Sequence, residues 1–114
     1  MNLLDTERNA LALIQQRNFP AAETLYRKLI DQGVCKHSIY GNLAALCAIK
    51  CRWEEVRELL QKAISLEPKY AEGINNLGVA CKELGERNEA INCFKKAILL
   101  KPNFPDPYNN LGLL

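Results

Sequence analysis

From residue 74 to residue 98, apolar side chains return at intervals of three and four: Ile74, Leu77, Ala80, Cys81 and Leu84, then Ala90, Ile91, Phe94, Ala97 and Ile98. Such spacing places each set along one stripe of an α-helix. The two sets are separated by Gly85-Glu86-Arg87-Asn88, where a glycine can end the first helix with positive φ. Pro102 stops the second helix, because proline has no N–H to donate and pushes the preceding residue out of helical geometry. Pro68 ends an earlier segment in the same way, and Asp106-Pro107 reads as an N-cap followed by proline at the first helical position. The pattern predicts helix, short turn, helix, short turn, repeated.

The repetition has a fixed length. Asn75-Asn76-Leu77-Gly78 returns as Asn109-Asn110-Leu111-Gly112, an offset of 34 residues, and at the same offset AISLEP from Ala63 returns as AILLKP from Ala97. Tyr40, Leu43, Ala44 and Cys47 map onto Ile74, Leu77, Gly78 and Cys81, and a fainter copy maps Ala10, Leu13, Ala22, Tyr26 and Ile30 onto Ala44, Cys47, Val56, Leu60 and Ile64. One domain over 1–114 is expected, made of repeats at 3–36, 37–70 and 71–104 and the first helix of a fourth at 105–114. A period of about 20–50 residues belongs to stacked arrays, in which no unit buries its apolar face alone. Ala10, Ala44, Gly78, Gly112, Ala22 and Ala90 let helices approach closely, while Tyr26, Leu60 and Phe94 are expected to fill the space between successive units. Trp53 reads as a packing residue at the start of a helix.

Composition narrows the chemistry. Of 114 residues, 48% are hydrophobic and 25% charged, ordinary values for a globular chain, and the net charge of +2 is spread without a basic block. Nucleic acid and membrane partners are therefore disfavoured. Asp5, Glu7 and Arg8 interrupt the N-terminus, unlike a signal peptide, and no stretch approaches the ~18 apolar residues of a membrane span, so a cytoplasmic location is expected. The five cysteines are odd in number and lack a C-x-x-C; Cys47 and Cys51 are expected on one helix face, a poor geometry for a disulfide or zinc. They are read as small buried hydrophobes, with no metal or cofactor. A Cys35/His37 pair is the sole nucleophile candidate, and without a phosphate loop or paired carboxylates it does not make an enzyme.

The third unit, Ile74-x-x-Leu77-Gly78-x-x-Cys81 followed by Ala90-x-x-x-Phe94, Ala97 and Pro102, resembles the tetratricopeptide repeat family. The likeness covers nearly the whole chain and is weakest in the first unit, at Thr6, Asn9 and Val34; Cys47 and Cys81 stand where tyrosine is usual and Val56 where alanine is. It implies an all-α fold, a right-handed α-solenoid whose first helices line a concave side, and a non-catalytic scaffold that binds an extended peptide in that groove. Asn42, Asn76 and Asn110 would form a row there, similar to the asparagine row by which O-linked N-acetylglucosamine transferase arrays hold client backbones. Ala45, Ile49 and Val79 would make an apolar floor, with Lys82 and Glu83 beyond them; Ser38, Glu72 and Asp106 tint one edge acidic, which suits a neutral or basic segment. The family's grip on acidic chaperone tails needs cations where this chain has Glu7, Gly41, Glu72 and Asn75. The half unit ending Leu111-Gly112-Leu113-Leu114 suggests a fragment of a longer array, with a catalytic transferase downstream as the alternative reading, and self-association through exposed parts of Tyr108, Leu111 and Leu114.

Overall fold

The computed structural model describes residues 2–114. Seven helices follow one another: α1 (Leu3–Gln15), α2 (Phe19–Asp31), α3 (His37–Ile49), α4 (Trp53–Leu66), α5 (Ala71–Glu83), α6 (Arg87–Leu100) and α7 (Pro105–Gly112). No strand occurs among the described residues. Each helix packs on the next, and α5 also touches α7, giving an elongated α-solenoid of 43 × 25 × 22 Å.

The turns explain the period. After α5 the Gly85 N–H donates to the Lys82 carbonyl and the Glu86 N–H to the Cys81 carbonyl (3.0 and 2.8 Å), with Gly85 at φ +82°. This is the Schellman arrangement, which satisfies carbonyls the helix end would otherwise strand. The same pair of bonds closes α1 at Arg17 and α3 at Cys51, where φ is +60° and +57° without a glycine. Cys51 thus lies in the turn beyond α3 and not on one helix face with Cys47, correcting the expectation from spacing. After α4 and α6 the residues before proline, Glu67 and Lys101, leave helical geometry. After α2, where Val34 replaces that proline, Gly33 at φ +85° makes a Schellman turn instead.

Two further expectations shift. Helix α7 begins at Pro105 with Phe104 as its cap, so Asp106 sits inside the first turn, because Pro105 already fixes a helical φ and holds Phe104 extended. Tyr108 is half exposed and Leu111 and Leu114 are partly buried against Cys81, Ala90 and Phe94, while Leu113, which the sequence reading did not single out, is the most exposed of the four.

Tyr26, Leu60 and Phe94 are fully buried between successive helix pairs, and a β-carbon on Gly78 would come within 2.6 Å of the Phe94 ring. Ion pairs clip the junctions on the outside. Glu23 meets Arg52 at 3.7 Å, and one repeat later Arg57 meets Glu86 with the charges exchanged.

Candidate functional site

Because α1, α3, α5 and α7 start 34 residues apart, equivalent positions on them share one face. One row on that face is Arg8, Asn42, Asn76 and Asn110. One turn further along each helix lies Leu11, Ala45, Val79 and Leu113. Leu11 and Leu113 extend the apolar floor beyond the residues anticipated, and both remain exposed. The 34-residue offset applied to Ala45 and Val79 was the signal that could have found them.

The four polar positions are not alike. Asn42 donates to the hydroxyl of Tyr26 at 3.2 Å, and Asn110 donates to Asn75 at 2.9 Å, tying α7 to α5. Asn76 is exposed, and its side-chain oxygen receives only a long 3.4 Å bond from Asn75. The cause is one layer down. Leu60 stands in the second unit where Tyr26 stands in the first, so Asn76 has no phenol to meet.

The missing ring leaves space. A cleft of about 190 Å³ opens between α3, α4 and α5, lined by Ala44, Ala45, Ala48, Trp53, Val56, Leu60, Asn76 and Val79. Leu60 therefore fills its junction incompletely, unlike the expectation for the three bulky residues. Three of the anticipated binding residues, Ala45, Asn76 and Val79, meet in this cleft. Trp53 packs on the core and also forms part of the cleft wall.

The rest lie around it. Ile49 is exposed one turn beyond Ala45, Lys82 pairs with Glu83 at 3.8 Å, and Glu72 pairs with Lys101 at 2.6 Å. Lys101 holds the Glu72 carboxyl below its ordinary range. The four positions where acid-tail recognition would need cations offer none: Glu7 is paired with Lys36, Gly41 lies under the Tyr70 ring, Glu72 is acidic, and Asn75 is buried.

Other reactive groups do not assemble. Cys35 donates to the Gly33 carbonyl, while His37 meets Tyr70 edge-on with centroids 4.8 Å apart, so the two point to different partners. Cys81, Glu86 and Glu89 bring ligand atoms within 4.8 Å of one another, yet Arg57 already holds Glu86. Burial, with Cys93 nearby, pushes the Cys81 thiol up to about 11. A cation there would have to displace a guanidinium and strip a strongly held proton. Cys47 is similarly raised to about 11 by burial and by Glu55.

Comparison with known proteins fits this geometry. A family model described as a TPR repeat matches residues 80–114. The crystal structure of MamA superposes with a TM-score of 0.91 at 23% identity, covering 98% of this chain and 66% of that one. The chain has the fold of tetratricopeptide-repeat structures, and residues 80–114 match the repeat model itself. Its repeats also superpose on the first TPR of Spaghetti (RPAP3) bound to the HSP90 peptide SRMEEVD, with a TM-score of 0.89 at 19% identity over 96% of this chain and 86% of that one. The second TPR domain of human RPAP3, in complex with the HSP70 peptide SGPTIEEVD, gives 0.87 at 21% identity over 96% and 91%. Curated proteins give no match. The chain spans just under two thirds of the length of the MamA chain. No helix among the described residues is long and apolar enough to cross a membrane.

Proposed function

We propose that this chain is a non-catalytic scaffold that holds an extended, uncharged or basic peptide segment across α1, α3, α5 and α7. The observation that carries the reading is the cleft between α3 and α5, where Ala45 and Val79 supply an apolar wall and exposed Asn76 an amide engaged only by a long 3.4 Å bond from Asn75. An amide both donates and accepts, so it can meet the two polar groups of one peptide unit. The neighbours that bind SRMEEVD and SGPTIEEVD make peptide capture on such a face physically reasonable. Acidic ends of that kind do not suit this chain, whose cations on and beside the face, Arg8, Lys36, Lys82 and Lys101, already face Asp5, Glu7, Glu83 and Glu72.

The test is a titration of blocked heptapeptides, uncharged, basic and SRMEEVD, followed by the fluorescence of Trp53, the single tryptophan. Uncharged and basic sequences should bind at least about 10-fold more tightly than SRMEEVD, and Asn76→Ala should weaken them about 2–10-fold, the worth of a hydrogen bond. Tighter binding of SRMEEVD, or indifference to Asn76→Ala with the helical content unchanged, refutes the reading.

A further inference from the structure

Three junctions of one design invite comparison, because each places the same structural position between a helix pair and the next odd-numbered helix. In the first, Tyr26 fills the gap and its hydroxyl takes the amide of Asn42. In the third, Phe94 fills it so closely that only a glycine, Gly78, fits above the ring. In the second, the residue is Leu60, and the small side chains Ala44, Ala45 and Ala48 face the vacated volume. The cleft is therefore a local departure from a packing rule the same chain obeys twice.

We infer that this cleft is an anchor pocket that accepts one bulky, uncharged side chain, leucine or phenylalanine in size, from the bound segment. The inference rests on the reading of the odd-helix face as a peptide site and adds what decides which peptide is taken. Three properties of the cleft argue for it. Its volume of about 190 Å³ exceeds that of an apolar cavity of about 150 Å³, which already accepts benzene. Its lining is alanine, valine, leucine and tryptophan with one amide and no ionisable group, so a charged side chain would be desolvated there without a partner. The amide of Asn76 sits in the same wall, so a residue whose side chain enters the cleft presents its own backbone to that amide. The charges nearest along α5, Lys82 and Glu83, neutralise one another, so the surroundings match a neutral anchor in charge as well as in size.

The companion positions behave differently. Leu11 lines a separate depression walled by the charged Glu7, Arg8 and Lys36, and Leu113 is exposed apolar surface, so neither offers a neutral apolar recess like the one beside Trp53. Selectivity is therefore concentrated at one residue of the partner and is weak at its neighbours.

The experiment uses the full chain and a set of blocked heptapeptides identical except at the central residue, which is Leu, Phe, Ala, Asp or Lys, titrated against Trp53 fluorescence. Leu and Phe peptides should bind about 10-fold or more tightly than Ala, as expected for several buried carbons, and Asp and Lys should bind no better than Ala. Leu60→Phe, which places a ring in the vacated volume, should abolish the preference for Leu and Phe over Ala. Should Leu60→Phe fail to fold, Ala45→Leu fills the cleft from an exposed position and should do the same. Binding of all peptides with no dependence on the central residue overturns the anchor pocket while the peptide-binding reading survives; binding of none overturns both. A shift of Trp53 emission with protein concentration alone, matched by dimers in sedimentation, would mean that a second copy fills the cleft and overturns it too.

Discussion

The turns closing α1 and α3 carry strain that the turn closing α5 avoids, and its size follows from geometry. Arg17 and Cys51 adopt φ of +60° and +57°, where Gly85 adopts +82° at the equivalent place. An L-residue in that region loses about 1–2 kcal/mol to the clash of its β-carbon with the following carbonyl. Replacing it by glycine relieves the clash but frees the unfolded chain, which costs about 0.5–1 kcal/mol. Both side chains are exposed, so their removal sacrifices little packing. Cys51→Gly and Arg17→Gly should each stabilise the fold by about 0.5–1 kcal/mol. With a urea dependence of about 2 kcal/mol/M, each midpoint should rise by roughly 0.3–0.5 M. The two sites are a full repeat apart, so the double variant should show nearly the sum. Gly85→Ala should lower the midpoint by a similar amount. Urea titrations followed by far-UV circular dichroism and by Trp53 fluorescence would read all four chains. A Cys51→Gly midpoint at or below the parent's, alongside a neutral Gly85→Ala, would refute the account.

Two other outcomes can be checked in the same way. Gly78→Ala would drive a β-carbon to 2.6 Å from the buried Phe94 ring and should destabilise by about 1–3 kcal/mol, as overpacking does; Phe94→Leu in the same chain should recover part of the loss. Glu23, 14% exposed, bonds Lys50 and Arg27, and these cations hold its carboxyl below the ordinary value of about 4. A lowered folded-state pKa stabilises the native chain above the unfolded value and is lost as the pH falls through the folded one. Glu23→Gln should thus lower thermal stability by about 1 kcal/mol at pH 7 and narrow its gap to the parent below about pH 4, where melting curves should converge.

Much of the fold was legible because stacked helices are specified by local signals that recur in register. Apolar intervals of three and four marked α5 and α6, and Pro68 and Pro102 marked where α4 and α6 stop. The cap at Phe104 and the turn at Cys51 were missed for one reason: backbone hydrogen bonds decided them, and the side chains at Asp106 and Cys51 argued for something else. A cysteine at positive φ leaves no mark in a hydrophobic pattern. Its 34-residue equivalence to Gly85 was the available clue.

The binding face was legible as a set of positions but not as a set of environments. Asn42, Asn76 and Asn110 are one residue type on one register, and sequence treats them as a row of equals. Their partners differ with the buried residues around them: Tyr26 for Asn42 and Asn75 for Asn110, with Leu60 offering Asn76 no hydroxyl. A phenol draws Asn42 inward and Asn75 on the neighbouring helix engages Asn110, whereas Asn76 receives only a long bond from Asn75 and stands beside a cleft. In an array with so regular a backbone, identity at the surface does not guarantee equivalent chemistry there. The buried residue one repeat back determines which surface group remains available to a partner.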